Sequence, residues 1–282
     1  LLTGEAKASG RDPLEHYLAI GEKRRVAPSE GFDPDYYARH QADVDESGFG
    51  LLRNYILYGQ REKRHALPPA RRIAIPALPE NGRPRVLLLM RDAERSDAVV
   101  LAWNIAKSLT PTHDVIAFFE KGGDLRETFI PVCTATIDMP EEPGLQRLDL
   151  IAVVEKLANE IRPAFAIASN ADTREYVRSL AAANVGVVQL VQEFSSAIRP
   201  ANGAYNFLPF AHRLVFPAKV VADSFQSEHP YLSRRRFDIV RPGATVFPNS
   251  AGWPFGTEGY NETVRRHLKP TTQGRDFLVV GI

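Results

Sequence analysis

Residues 86–109 have the sequence VLLLMRDAERSDAVVLAWNIAKSL, which joins two patterns in one segment. Residues 86–90 are an apolar run of strand length, and residues 98–109 are an amphipathic stretch typical of a helix. A charged turn separates them. A strand that leads through a short turn into a helix is the unit from which parallel α/β sheets are built.

The same alternation continues on the carboxyl side of this segment. The predicted strands are 86–90, 115–119, 165–169, 187–191 and 214–216. The predicted helices are 98–109, 148–161, 173–183 and 258–268. Regular alternation of this kind predicts an α/β fold with a doubly wound parallel sheet over residues 85–275.

Residues 67–84, on the amino side, are rich in proline and predict an extended connector without helix. Residues 1–66 contain a repeat, because LEHYLAIG at 14–21 aligns with LRNYILYG at 52–59. Each copy predicts a short helix that ends at its glycine, with that glycine as a left-handed C-cap. Asp33 followed by Pro34 predicts a further helix start between the copies. The segment is either a small helical appendage or a module that docks to a partner or a membrane surface.

The composition and charge of the chain disfavour several classes of function. The 282 residues carry 35 Lys and Arg against 34 Asp and Glu, so there is no basic excess to favour nucleic-acid binding. No apolar run approaches the length of a spanning helix, and no export signal begins the chain, so the expected location is cytoplasmic. Residues 276–282 predict a strand that opens a further domain after Ile282.

Ligands of open α/β sheets bind beyond the carboxyl ends of the strands, so the polar residues at those positions are the candidates. The candidate binding residues are Arg91, Asp92, Ser96, Asp97, Asn170, Ser195 and Arg199, and the candidate catalytic residues are Gln192 and Glu193.

Each of these candidates has a structural alternative. Ser96 or Asp97 can simply cap the following helix. Asp172 or Thr173 can start the next helix, while Asn170 faces the cleft. Glu193 follows an apolar strand, where a carboxylate needs a partner or a function, and an ion pair with Arg199 is the alternative to a functional role.

Several classes of site are absent from the sequence. There is no G-x-G-x-x-G turn, no P-loop and no G-x-S-x-G elbow, which argues against a classical dehydrogenase, an NTPase and a serine hydrolase. The seven histidines and the single cysteine show no metal-binding spacing, so no metal is expected.

Residues 85–282 resemble the amino-terminal half of a bacterial glycosyltransferase of family four, a retaining enzyme with two Rossmann-like domains (the GT-B fold). The matching motifs are the 86–90 strand with its acidic, serine-containing turn, AVVLAWNIA at 98–106, ASN at 168–170, the 188–194 strand and turn, and RLVFPA at 213–218. Residues 12–64 are similar to the short D-P-L-x-H-Y-L-x-x-G and F-D-x-x-Y-Y repeats found beside such transferases of surface-polysaccharide synthesis.

The resemblance implies that this half binds a glycan acceptor and that a following domain binds a nucleotide-diphosphate sugar, without a metal or other cofactor. It implies that Glu193 and Gln192 orient the acceptor or the donor sugar. The family commonly has H-E-F at this turn, whereas this chain has Gln192-Glu193-Phe194, and Gln cannot titrate near neutrality. The family's glycine-rich first loop is also replaced here.

The leading hypothesis is therefore the acceptor-binding part of a retaining glycosyltransferase of surface-glycan synthesis, inactive by itself, with peripheral membrane contact left open. The alternative is a non-catalytic binding or scaffold module derived from such a half. A nucleotide-sugar epimerase or another Rossmann oxidoreductase is a third possibility, weakened by the absent glycine fingerprint.

Overall fold

In the computed structural model, the described residues are 8, 10, 12–44 and 49–241. The described residues belong to one compact unit. The predicted helix at 258–268, the domain end at 275 and the strand at 276–282 lie outside the described residues.

The compact unit is built on a parallel sheet. Its strands are β1 (Arg85–Met90), β2 (Asp114–Phe119), β3 (Ala135–Asp138), β4 (Phe165–Ala168), β5 (Val187–Leu190), β6 (Arg213–Phe216) and β7 (Phe237–Ile239). Their order is β3-β2-β1-β4-β5-β6-β7, and every pairing is parallel. The chain therefore moves outward from β1 to β3 and then returns to β4, which makes the β1/β4 boundary the point where the winding reverses. This confirms the predicted Rossmann-like, doubly wound fold.

Helices cover the sheet and close its core. The longer helices are α5 (Asp97–Leu109), α7 (Arg147–Ile161), α8 (Arg174–Ala182) and α9 (Lys219–Glu228). The shorter ones are α1 (Pro13–His16), α2 (Pro34–His40), α3 (Leu51–Asn54), α4 (Pro69–Arg72) and α6 (Arg126–Phe129). Side chains of β1 and β2 are buried at consecutive positions, as expected for strands covered on both faces. The predicted helices at 98–109, 148–161 and 173–183 are confirmed within one residue at each end.

Two strands were not predicted. β3 and β7 lie at the two edges of the sheet, where only one face or neither is buried, so neither has a continuous apolar run. The five predicted strands are confirmed. They lie between other strands and are mostly buried, so each has the apolar run from which it was predicted.

The sequence repeat is also a structural repeat. α1 and α3 each continue as a wider, π-type turn, over Tyr17–Gly21 and Tyr55–Gly59, and so end at the predicted glycines. The left-handed C-cap predicted at each glycine is wrong: the left-handed residues are Arg25 and Lys63, four positions later.

A different physical reason requires a glycine at position 59. A Cβ there would lie 2.6 Å from Oη of Tyr37 and 2.7 Å from a ring carbon of Tyr55. Gly59 therefore serves close packing of the aromatic side chains in residues 12–66, and no special backbone angle is involved.

The predicted connector is not fully extended. Pro69–Arg72 form one helical turn, α4, although the proline content predicted no helix. Pro69 occupies the first turn, where its fixed φ suits a helix and its missing N–H leaves no bond unmade. Ile73, directly after α4, is buried in the core of the α/β unit, so this part of the connector packs against the sheet domain.

Candidate functional site

A cavity of about 410 Å³ lies at the carboxyl ends of β1 and β4, where the winding of the sheet reverses. Ten of its twelve lining residues are polar or charged, the other two being Ala98 and Val99. The predicted candidates among the lining residues are Arg91, Asp92, Ser96, Asp97, Asn170, Gln192 and Glu193. We call this space the switch-point cavity.

The turn after β1 forms one wall of the switch-point cavity. Ser96 is the N-cap of α5, because its Oγ accepts a hydrogen bond from the Val99 amide at 3.3 Å. The capping alternative for Ser96 is thereby confirmed. Asp92 likewise accepts a bond from the Glu94 amide at 3.1 Å, which folds the turn. These side chains shape the wall and also line the cavity.

The turn after β4 forms the opposite wall. The carbonyl of Asn170 accepts bonds from Thr173 Oγ1 and from Gln189 Nε2, each at 2.7 Å. The side-chain Oδ1 of Asn170 is buried, and no donor among the described residues reaches it. Neither Asp172 nor Thr173 caps α8 with its side chain. The Thr173 hydroxyl donates to the Asn170 carbonyl instead.

Glu193 approaches the same turn from the end of β5. Its Oε2 accepts bonds from the Gln192 amide at 3.2 Å and from the Ala171 amide at 3.4 Å. Burial raises the pKa of the Glu193 carboxyl above its ordinary value, and the backbone hydrogen bonds oppose that shift. The side-chain Nε2 of Gln192 donates to the Ser169 carbonyl at 2.8 Å, which holds the Gln192 side chain in place.

The ion pair of Glu193 with Arg199, left open by the sequence, is not formed. The guanidinium of Arg199 donates to the carbonyls of Ser196, at 2.5 Å, and Ile198, at 3.1 Å. A partly desolvated carboxylate bound by backbone amides can accept a hydrogen bond from a ligand hydroxyl.

Two candidates lie outside the switch-point cavity. Arg199 is used in the local turn contacts just described. Ser195 is buried, and its Oγ donates to Glu228 Oε2 at 2.7 Å and lies 3.4 Å from Nε2 of His229. The carboxylate contacts the serine rather than the histidine, so the geometry differs from a catalytic triad. The binding roles assigned to Ser195 and Arg199 stay predictions.

Sequence reasoning missed residues that organise the cavity. Gln189 is fully buried within β5, and its Nε2 bonds to the carbonyls of Asn170 and Leu190, which fixes the β4 turn to the next strand. The signal was present, because a glutamine within the apolar run VVQLV needs buried partners. Asp172 also lines the cavity and lies 3.5 Å from Arg91 across it.

The described residues contain neither a metal site nor a membrane-spanning helix. Within them, no three His, Cys, Asp or Glu side chains come together as a metal site. In the same part of the chain, no helix has the length and apolar character needed to cross a membrane.

Fold and site together define an α/β protein with a polar cleft at the switch point of a doubly wound sheet. No protein-family model and no curated protein sequence matches the chain.

Among solved structures, HepE of Anabaena in complex with UDP-glucose is 14% identical with a TM-score of 0.48, and the match covers 66% of this chain and 50% of HepE. The lipopolysaccharide outer core galactosyltransferase WaaB is 8% identical with a TM-score of 0.47, over 58% of this chain and 47% of WaaB. A UDP-N-acetylglucosamine 2-epimerase is 11% identical with a TM-score of 0.41, and the match covers 67% of this chain and 61% of the epimerase. The chain thus spans about half the length of HepE and WaaB. The fold assignment rests on the strand order and register, independently of these likenesses.

Proposed function

We propose that this chain is the acceptor-binding part of a retaining glycosyltransferase that transfers a sugar from a nucleotide-diphosphate sugar to a glycan in surface-polysaccharide synthesis. The donor is held by a second domain facing the carboxyl edge of the sheet, with no metal or other cofactor. The enzyme works in the cytoplasm, in peripheral contact with the inner face of the membrane.

One observation carries the proposal: ten of the twelve residues that line the switch-point cavity have hydrogen-bonding side chains. Ligand pockets are usually lined mainly by apolar residues with few polar groups. A lining with many polar residues suits a ligand that is covered with hydroxyl groups, which can donate a hydrogen bond to the Glu193 carboxylate. Sugars are ligands of that chemistry.

The chemistry required of this half is positioning. Transfer forms a bond between an acceptor oxygen and the anomeric carbon and breaks the bond from that carbon to the donor phosphate, releasing a nucleoside diphosphate. The acceptor proton leaves to the Glu193 carboxylate or to the departing diphosphate. Holding the hydroxyl in line supplies much of the rate enhancement in such reactions. Glu193 and Gln192 orient the hydroxyl, and Arg91, Asp92, Ser96, Asp97 and Asn170 line its cleft.

Replacing Glu193 tests this role. In the full-length protein, Glu193→Gln should lower sugar transfer ~10-fold or more, because an amide is a weaker acceptor for the acceptor hydroxyl. Transfer is measured with a panel of nucleotide-sugars, and NMR of the product gives its anomeric configuration. An inverted product would contradict the retaining assignment.

The matched control is Glu160→Gln, which changes an exposed carboxylate on α7 that lies 3.9 Å from the Lys156 ammonium. This variant should transfer at the wild-type rate. Unchanged turnover in Glu193→Gln would refute the role of Glu193. Glycan binding without turnover of any donor would favour the alternative, a non-catalytic binding module.

A further inference from the structure

A second cavity, of about 520 Å³, lies beside the site between the segments that follow β2 and β3. Glu120, Lys121 and Gly122 form one wall, and residues 139–145 form most of the other. We call this space the distal cavity. None of its lining residues belongs to the switch-point cavity.

A third cavity, of about 320 Å³, lies between the two. It shares Arg91 and Asp172 with the switch-point cavity, and it shares Glu120 and Leu145 with the distal cavity. The three cavities therefore lie side by side along the carboxyl edge of β4, β1, β2 and β3. A single sugar unit occupies only one end of this row of cavities, which we call the groove.

The helical appendage, residues 12–66, and the adjoining α4 hold the outer wall of the distal cavity. Tyr36 of α2 donates its hydroxyl to Glu142 Oε2 at 2.6 Å. Arg72 of α4 pairs with the same carboxylate and donates to the Glu141 carbonyl at 3.1 Å. The side chain of Glu142 is only 4% exposed, so this carboxylate is buried between its two partners.

This contact is specific rather than incidental. A buried carboxylate is costly unless it is paired and hydrogen-bonded, and both requirements are met here by residues about 70 to 106 positions away in the chain. The side-chain Nε2 of Gln146 also donates to the Arg39 carbonyl at 3.1 Å, which fixes the end of the same loop. The loop at 139–146 thus depends on the appendage and α4 for its position.

The charges of the groove restrict its ligand. Apart from the buried Glu142, which is paired with Arg72, eight carboxylates and four cationic side chains line the three cavities. Like charges repel, so a glycan rich in uronic acids or phosphates is disfavoured. Neutral sugars, or sugars that carry amino groups, match this lining.

We infer that the appendage completes an extended groove, in which the acceptor end of a neutral or amino-sugar oligosaccharide occupies the switch-point cavity and its more remote sugars occupy the distal cavity. This inference rests on the proposed function and adds the length and charge of the acceptor. Tyr36 and Arg72 are positioning residues of the distal cavity.

The test is a glycan array with neutral, amino and acidic oligosaccharides of one to six units, probed with the fluorescently labelled full-length protein. Neutral or amino oligosaccharides should bind more tightly as they lengthen. In Tyr36→Phe and Arg72→Met, the Kd for chains of four or more units should rise about tenfold, the size of effect expected when a hydrogen bond to a charged group is lost. The Kd for one or two units should not change.

The matched control is Arg25→Met, which breaks an exposed ion pair with Asp35 inside the appendage and does not contact the loop. It should bind every oligosaccharide like the wild type. Affinity that does not depend on length, a preference for acidic glycans, or no glycan binding would each overturn the inference. Donor turnover in the same preparations distinguishes an error in this inference from an error in the proposed function. If turnover persists, only this inference is wrong. If turnover is absent as well, the proposed function is also wrong.

Discussion

Glu193 combines two properties that ordinary surface carboxylates lack. It is partly withdrawn from water, and one of its oxygens accepts hydrogen bonds from the backbone amides of Ala171 and Gln192. The bonds hold the side chain in place, while burial makes its charged form less stable than in water. Strained or desolvated groups of this kind cluster at functional sites, where they reduce stability in return for activity.

The raised pKa of Glu193 predicts a pH-dependent stability. Because the folded state binds this proton more tightly than the unfolded chain does, the associated stability is fully present below the ordinary carboxyl pKa and is lost as pH rises through the raised value. The Glu193→Gln variant has no carboxyl group at this position, so it does not lose this part of its stability as pH rises. Its free energy of unfolding, measured by urea denaturation, should therefore improve relative to wild type between pH 4 and pH 8.

Glu160→Gln serves again as the control and should follow the wild-type curve throughout, since its carboxylate is half exposed. Parallel curves for wild type and Glu193→Gln would show that burial does not perturb this carboxyl.

The appendage is held together at the scale of its elements by aromatic packing. The rings of Phe32, Tyr37 and Tyr55 pack in tilted and edge-to-face contacts, with centroids 5.4 to 5.5 Å apart. The Tyr37 hydroxyl donates to the buried Asn54 side chain at 2.8 Å. So small a core depends on each close contact, because few other buried side chains can compensate for one that is lost.

Gly59→Ala should therefore destabilise the protein by about 1–3 kcal/mol, the usual range for overpacking. The added methyl would meet Tyr37, which is fully buried and cannot move away. The free energy of unfolding from urea denaturation measures this effect.

Gly31→Ala is the control within the same segment. The nearest atom to its added Cβ is the Ser29 hydroxyl at 3.7 Å, an ordinary contact. A Gly59→Ala variant as stable as Gly31→Ala would mean that the aromatic cluster adjusts without cost.

At the scale of the whole molecule, the appendage is part of the folded unit. Besides the Glu142 contact, Asp149 at the start of α7 lies 3.3 Å from the Arg39 guanidinium and 3.0 Å from Nε2 of His40. The Asp149 side chain is 1% exposed. A buried charge left without its partners is expensive, so this interface couples the stability of the appendage to that of the sheet domain.

Asp149→Asn should lower the free energy of unfolding by about 1–3 kcal/mol, because it removes the buried charge that accepts hydrogen bonds from the Arg39 guanidinium and the Gln146 backbone amide. Circular dichroism during urea denaturation measures the change. Asp223→Asn, which alters a half-exposed carboxylate paired with Lys219 on α9, should cost no more than about 0.5 kcal/mol. Equal losses in the two variants would show that the interface around Asp149 contributes nothing special.

The local pattern of the sequence determined most of the fold. Apolar runs at 86–90 and 115–119 identified central strands, because strands buried on both faces consist mostly of consecutive apolar residues. Ser96 and Asp33 marked helix starts, because capping depends only on residues three positions apart. The rule that ligands bind beyond the strand ends selected Asn170, Gln192 and Glu193, which the structure brings together around one cavity.

Tertiary structure alone decided which of these residues meet and which do not. Ser195 is only two residues from Glu193, yet it turns away toward Glu228, and no local pattern indicates that direction. The edge strands β3 and β7 and the contact of Tyr36 with Glu142 also depend on neighbours that are distant in the chain. Sequence periodicity reports the burial of each element by itself, whereas the groove along the sheet edge arises from loops that only the order of the strands places side by side.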